Sequence, residues 1–396
     1  MKKQRREEKG ITLVALVVTI IVLIILAGVT LNIVLDNDGI INKAKQAADD
    51  YENAQREEQE LLGQIENYLN PPIQDGYVAS SVPGENIVSS GLVIYEGDEP
   101  VTEENHEESM LNRNQYVWIP VDDINSMVMC SSNTGDSICN LVYDEETNTL
   151  ECTNPEHAST ATNLVGRLYT STRTSTTDGD NTIYSYTMDF TKKDQTYDSN
   201  GYHEPNTVSS DASNSLTIEQ LKSDFTTMAK SVAKNGGFYI SRYEVGENGD
   251  SKKNQKVLTA ASSDGSNYLG ANMWYGLYNT IRKIDENKQM IWGCQYDQVI
   301  KFIGEEAQIG HSDRNLTISK ALSGQNELDK MNNVYDLEGN YREWTLENYS
   351  SDIRVIRGSN FGGINEGKFY PASYRALTYG NPTDIFTDST RLILYL

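Results

Sequence analysis

Asn333-Val334-Tyr335-Asp336-Leu337-Glu338-Gly339-Asn340-Tyr341-Arg342-Glu343-Trp344-Thr345 is the stretch on which the reading of this chain turns. Its Asn, Asp and Gly residues mark a tight turn, and the Tyr and Trp that follow suit a strand. Asp336, Gly339, Tyr341 and Glu343 alternate on that turn as it enters the strand. Two carboxylates plus backbone carbonyls from a glycine turn are the hard oxygen donors that Ca²⁺ prefers. The same carboxylates could instead cap backbone amides of the turn, and the residues alone leave both readings open.

Working outward, the block is preceded by Gly237-Phe238-Tyr239-Ile240-Ser241-Arg242-Tyr243-Glu244-Val245 and by Met290-Ile291-Trp292-Gly293-Cys294-Gln295-Tyr296-Asp297-Gln298-Val299. It is followed by Arg357-Gly358-Ser359-Asn360-Phe361 and by Ser389-Thr390-Arg391-Leu392-Ile393-Leu394-Tyr395-Leu396. In this order the segments resemble the formylglycine-generating enzyme (sulfatase-modifying factor) family, over about residues 115–396. The resemblance implies a variant of the C-type lectin fold, with calcium held by the side chains of Asp336 and Glu343 and the carbonyls of Gly339 and Tyr341. The family's final Gly-Phe-Arg is here Ser389-Thr390-Arg391.

The catalytic residues of that family are missing. The generating enzyme works through two cysteines in its C-terminal part that bind copper, and this chain has no cysteine after Cys294. Related sulfoxide synthases hold iron with three histidines, whereas His106, His157, His203 and His311 are scattered without facial-triad spacing. No Gly-x-Ser-x-Gly, Walker loop or HExxH occurs. Function must be argued from the site, so no enzymatic activity and no catalytic residue is expected.

The other end of the chain carries a different signal. Five basic residues (Lys2, Lys3, Arg5, Arg6, Lys9) precede Ile11 to Leu31, 21 residues without a charge. About 20 apolar helical residues cross a bilayer, and the basic flank stays cytoplasmic. Lys9-Gly10-Ile11-Thr12-Leu13 resembles the processing site of type IV prepilins, a resemblance covering about residues 1–70. It implies cleavage between Gly10 and Ile11 by a prepilin peptidase and methylation of Ile11. The Glu usual at the fifth mature position is Ala15 here, which weighs against efficient filament incorporation. From Ile40 to Leu69 apolar residues recur at spacings of three and four, ended by Asn70-Pro71-Pro72. That period predicts an amphipathic helix, packing either on its own domain or against other pilin-like subunits.

Composition narrows the partners. The formal net charge is −24, an acidic balance that argues against nucleic-acid binding. Twenty-four Tyr stand against seven Phe, which fits either a contact surface with polar tips or a Tyr-rich β core with wet edges. Cys130, Cys139 and Cys152 fall close together in a polar stretch, as C-x8-C-x12-C, and match no zinc template. They are disulfide candidates of open connectivity, in keeping with an extracellular location.

Tyr77–Ile94 and Gln115–Val121 read as strands, and Thr217 to Asn235 as a helix with Ile218, Leu221, Phe225, Met228 and Val232 on one face. The Ser/Thr/Asn-rich region 122–215 reads as an insertion of irregular loops with short strands, Ile183–Phe190 the best candidate, and not as a domain with its own core.

The expected class is thus α+β: a long N-terminal transmembrane and amphipathic helix followed by a C-type-lectin-like mixed domain. The expected organisation is a leader at 1–10, a span at 11–35, a stalk at 36–70 and the outer domain at 73–396. The expected function is surface display of a binding domain for a glycan or protein. The aromatic and polar segment 359–390 supplies its contact residues, Asn365, Tyr370, Tyr379, Asn381 and Phe386, with Phe361 and Tyr374 expected in the core. The alternatives are a structural minor pilin or pseudopilin and a formylglycine-generating-type oxidoreductase.

Overall fold

Gln115–Pro120 (β3) is the strand around which the outer sheet is organised in the computed structural model. The structure describes residues 19–23, 70–131, 141–152, 163–190, 216–259, 273–284, 288–314, 316, 321–348, 353–379 and 388–396. The chain divides into two units, 1–65 and 66–396. Of the first, residues 19–23 are described and are helical.

In the second unit, β3 is flanked on one side by Val93–Glu96 (β2) and Tyr77–Ala79 (β1). On the other side lie Gly237–Ser241 (β10), Leu392–Leu394 (β17) and Lys288–Met290 (β11). All five pairings are antiparallel, in the order β1-β2-β3-β10-β17-β11. Val93, Ile94, Tyr95, Tyr116, Val117, Trp118, Ile119, Phe238, Tyr239 and Ile240 are all buried. Such unbroken runs of β-branched and aromatic residues mark a sheet covered on both faces.

The expected helix at Thr217 to Asn235 is Ile218–Asn235 (α2), the second of five helices described in this unit, after His106–Asn112 (α1). The Thr217 hydroxyl accepts from the Gln220 amide at its start, and Gly236 ends it in the left-handed conformation at φ 71°. Leu221, Phe225, Met228 and Val232 are buried, with Phe225 edge-on to Trp292 at 5.0 Å. Met273–Ile284 (α3), Gly293–Ile303 (α4) and Phe361–Asn365 (α5) complete the α-helices among the described residues of this unit.

A second sheet holds the motif block. Glu343–Asn348 (β12) pairs antiparallel with Ile353–Arg357 (β13) and parallel with Ser389–Thr390 (β16), and Arg375–Tyr379 (β15) lies outside β13.

The short strands expected in region 122–215 number six among the described residues. They are Val128–Ser131 (β4), Leu141–Asp144 (β5), Thr149–Cys152 (β6), Asn163–Gly166 (β7), Ser171–Asp178 (β8) and Asn181–Met188 (β9). Met127, Val128, Cys130, Leu141, Leu168, Tyr169 and Met188 from this region join the main core. Strand β8, Ser-Thr-Arg-Thr-Ser-Thr-Thr-Asp, has no apolar alternation to betray it. Its threonines are nevertheless β-branched and favour an extended chain. The turn to β9 is closed by Gly179 at φ 60°.

The α+β expectation is overturned: the described residues are mostly β-sheet with few helices, and no helix among them is long and apolar enough to cross a membrane. The physical reason is the polar region, whose segments pair as strands, the Thr- and Ser-rich β8 among them. Of the long N-terminal helix of that expectation, residues 19–23 are described, and they are helical. Apart from residues 19–23 and Asn70, the segments read as span and stalk (11–35 and 36–70) lie outside the described residues, as do Gly10 and Ile11.

Candidate functional site

Two places gather the residues singled out by sequence, and they differ in character. The first is the turn at 332–340. Asn332, Asn333, Asp336 and Asn340 all adopt positive φ, at 43°, 63°, 61° and 53°. Asn and Asp are the side chains that tolerate this conformation, so the Asn/Asp spacing of the block is a backbone requirement. Gly339 is fixed by close approach: a Cβ there would lie 2.6 Å from Asp329 Oδ2.

The turn is packed over a sealed set of charges. Glu244, Asp329, Asp336, Glu343 and Arg391 are each at most 1 % exposed. Asp336 Oδ2 accepts from the Gly324 amide at 2.6 Å. Glu244 accepts from Asn340 Nδ2 at 2.6 Å and from the Tyr341 amide at 3.1 Å. Arg391 Nε stands 2.6 Å from Glu343 Oε1, and its Nη atoms donate to the carbonyls of Ser241, Arg242 and Tyr335. Burial pushes the Asp336 carboxyl up to about 7, against the pull of the Gly324 amide. It pushes Glu343 up to about 7 as well, against the opposing charge of Arg391. Glu244 is raised well above the usual range by burial and then by its neighbours Asp336 and Glu343.

For calcium the arrangement is divided. Among the described residues both Glu343 oxygens lack a well-aligned hydrogen-bond donor, as a cation ligand would. However, Arg391 already supplies Glu343 with a positive charge, Asp336 is engaged by a backbone amide, and the Tyr341 ring packs edge-on to Phe361 at 5.8 Å. Among the described residues no group of three or more His, Cys, Asp or Glu is placed to hold a metal ion.

The second place is on the surface, where the polar region meets the C-terminal segment. Lys368–Phe369 (β14) pairs parallel with Thr182–Ile183 of β9. This pairing brings Tyr370 against Tyr184, rings 4.4 Å apart and 4° from parallel. Tyr374 lies 4.4 Å beyond Tyr370, and Tyr186 meets Tyr374 edge-on at 5.1 Å. The Arg173 guanidinium covers Tyr184 at 4.7 Å and Tyr186 at 6.0 Å, a cation over ring faces. Arg173 is exposed, Tyr184, Tyr370 and Tyr374 are half-buried, and Tyr186 is buried. Burial raises the Tyr370 and Tyr374 phenols and pushes Tyr186 up to about 12. These phenols therefore stay neutral at physiological pH and offer polar edges beside one guanidinium.

Of the five expected contact residues, Tyr370 is in this array and Asn365 is exposed at the end of α5. Tyr379 ends β15, paired with Ile353. Asn381 and Phe386 lie outside the described residues. Phe361 and Tyr374, expected in the core, are half-buried. Cys152 is disulfide-bonded, Cys130 and Cys294 are buried and in no disulfide, and Cys139 lies outside the described residues. Sequence reasoning missed Arg173, Tyr184 and Tyr186. The available signal was Tyr184-Ser185-Tyr186, two aromatics on one face of a strand.

No family model matches the chain, and neither a curated protein nor a solved structure matches it.

Proposed function

We propose that this chain is a pilin-like protein held at the cell membrane by its N-terminal segment, with the bulk outside the cell as a recognition domain that binds a surface glycan. The observation that supports it is the tyrosine array of Arg173, Tyr184, Tyr370 and Tyr374. Aromatic groups with polar edges, part exposed and locked by mutual stacking, contact a ligand with little loss of side-chain freedom. The phenolic edges and the guanidinium suit the hydroxyl and ring oxygens of a sugar. A prepilin peptidase is the expected processing partner and other pilin-like subunits the expected neighbours, on the grounds of Lys9-Gly10-Ile11-Thr12-Leu13.

Two measurements test the reading. Intact-mass analysis of membrane-extracted protein should show loss of residues 1–10, and an uncleaved chain sinks the pilin-like part. Full-length protein should bind on a glycan array, and Arg173→Ala and Tyr370→Ala should each weaken that binding. Binding to a protein ligand alone, or binding indifferent to both substitutions, removes the glycan reading.

A further inference from the structure

A cavity of about 620 Å³ opens between the 82–90 segment, α1 and the start of the 332–340 turn, apart from the sealed charges beneath that turn and from the tyrosine array. That volume is in the range of small-molecule sites. Val82, Pro83 and Met110 give it an apolar wall, and two charge clusters joined by Tyr335 form the remainder.

In the first cluster Glu85, buried, accepts from His106 Nε2 at 2.8 Å, Ser80 at 2.9 Å and Tyr95 at 3.0 Å, and pairs with Arg242 Nη2 at 2.5 Å. Burial opposes its ionisation, but the charges of Arg242 and His106, with these hydrogen bonds, hold its carboxyl below the usual range. In the second, Glu327 takes Lys253 at 2.5 Å, Lys330 at 3.6 Å and the Tyr335 hydroxyl at 2.6 Å. The Arg242 guanidinium and the Lys330 ammonium both lie over the Tyr335 ring, at 5.4 and 5.7 Å.

The hydrogen-bond inventory is lopsided. Glu85 has two partners on each oxygen, so its acceptor capacity is used. Donor capacity is left over. Arg242 is 1 % exposed, yet its Nε has no partner among the described residues. Each ammonium carries three N–H groups, and Lys253 and Lys330 both turn to one shared carboxylate. A buried cationic donor without a partner is costly. A ligand that supplies anionic acceptors removes that cost. Three carboxylates line the cavity with these three cations: Glu85 and Glu327 take the pairs above, and Glu107, exposed on the rim, opposes an entering anion.

We infer that this cavity binds a small organic carboxylate, its oxygens taken by the donors of Arg242, Lys253 and Lys330 and its carbon skeleton lying against Val82, Pro83 and Met110. The carboxylate could belong to a free acid or to an acidic sugar, and two probes separate these. The experiment is calorimetric titration of the detergent-extracted full-length protein with succinate and with glucuronate, against sodium chloride of equal ionic strength. Saturable binding of at least one probe is expected. Glucuronate ahead of succinate assigns the site to sugar acids, and the reverse order assigns it to free acids. Lys330→Gln, at an exposed position, should weaken binding about tenfold. The double variant with Lys253→Gln should lose it, while Glu107→Gln should strengthen it and Arg173→Ala should leave it unchanged. No heat beyond that of sodium chloride with either probe overturns the inference, as does full affinity in a folded Lys330→Gln protein.

Discussion

The sealed charges beneath the 332–340 turn and the tyrosine array on the surface are opposites in exposure. Glu244, Asp329, Asp336, Glu338 and Glu343 of the turn region, with Arg391, are each at most 1 % exposed. The array holds one exposed arginine and three half-buried tyrosines. The first carries the most recognisable run of sequence in the chain, yet its residues serve backbone conformation and one another. The second is built from a Thr/Ser-rich hairpin and an irregular C-terminal segment, neither of which carries a motif. Recognisable sequence here marks what the fold demands, and the groups free to meet a ligand sit where the fold demands least.

The largest expected effect sharpens that difference from the inside. Arg391→Ala strands Glu343 and removes donors from three carbonyls. Breaking a buried pair by removing one partner costs about 3–5 kcal/mol. Urea unfolding of the full-length protein followed by tryptophan fluorescence measures it, and a loss below about 1 kcal/mol would show that the interior pair is not the support described.

Next in size is a pH effect from another interior network. Glu347 lies 3.2 Å from Arg375 Nε and 3.4 Å from Arg357 Nη1, and Arg357 and Arg375 also pair with Asp297. Burial raises the Glu347 carboxyl despite the charges of Arg375 and Arg357. A carboxyl raised on folding contributes stability that is full below the unfolded value, near 4.5, and is lost as pH rises through the folded value. A tenfold difference in proton affinity between the folded and unfolded chain is worth about 1.4 kcal/mol. Subtracting the pH profile of Glu347→Gln from that of the parent should therefore leave stability that falls as pH rises from about 4.5. A difference that rises instead contradicts the burial argument.

From the surface side the effect on stability should be small. Arg173→Ala removes a cation over two rings at an exposed site, about 0.5–1 kcal/mol, while glycan binding drops. A substitution that unfolds the protein would show that the array is a structural clamp holding β8 and β9 to the C-terminal segment.

Calcium ranks last. Because Arg391 already faces Glu343, added calcium should raise the melting temperature only slightly, by mass action on the native state. Glu343→Gln should abolish that rise. A melting curve untouched by chelator and by calcium removes the metal from the turn.

Parts of this are readable from sequence for identifiable reasons. Thr217, the 3.6-residue spacing from Ile218 to Val232 and Gly236 are local signals, and they give α2 its bounds to within a residue. Gln115-Tyr116-Val117-Trp118-Ile119 is a buried strand by composition alone. Strand β8 escapes a sequence reading because its residues after the first are exposed, so hydrophobic alternation has nothing to report. The Glu85–Arg242 and Asp297–Arg357 pairs join residues 157 and 60 positions apart, and no local spacing encodes such partners. Tyr370 is legible as a contact residue, and Tyr184 falls within the expected strand Ile183–Phe190. That the two stack is not legible, because it depends on β14 meeting β9 across more than half the outer unit's length of chain.

Strand β17 has a consequence for how the molecule comes into being. Leu392–Leu394 lies between Tyr239–Ile240 of β10 and the strand at 288–290, and Arg391 beside it neutralises Glu343. A ribosome adds about 5–20 residues per second, so β10 waits roughly 8–30 s after its own synthesis for the neighbour that completes its sheet. During that interval the outer unit lacks its central seam and its main interior counter-charge.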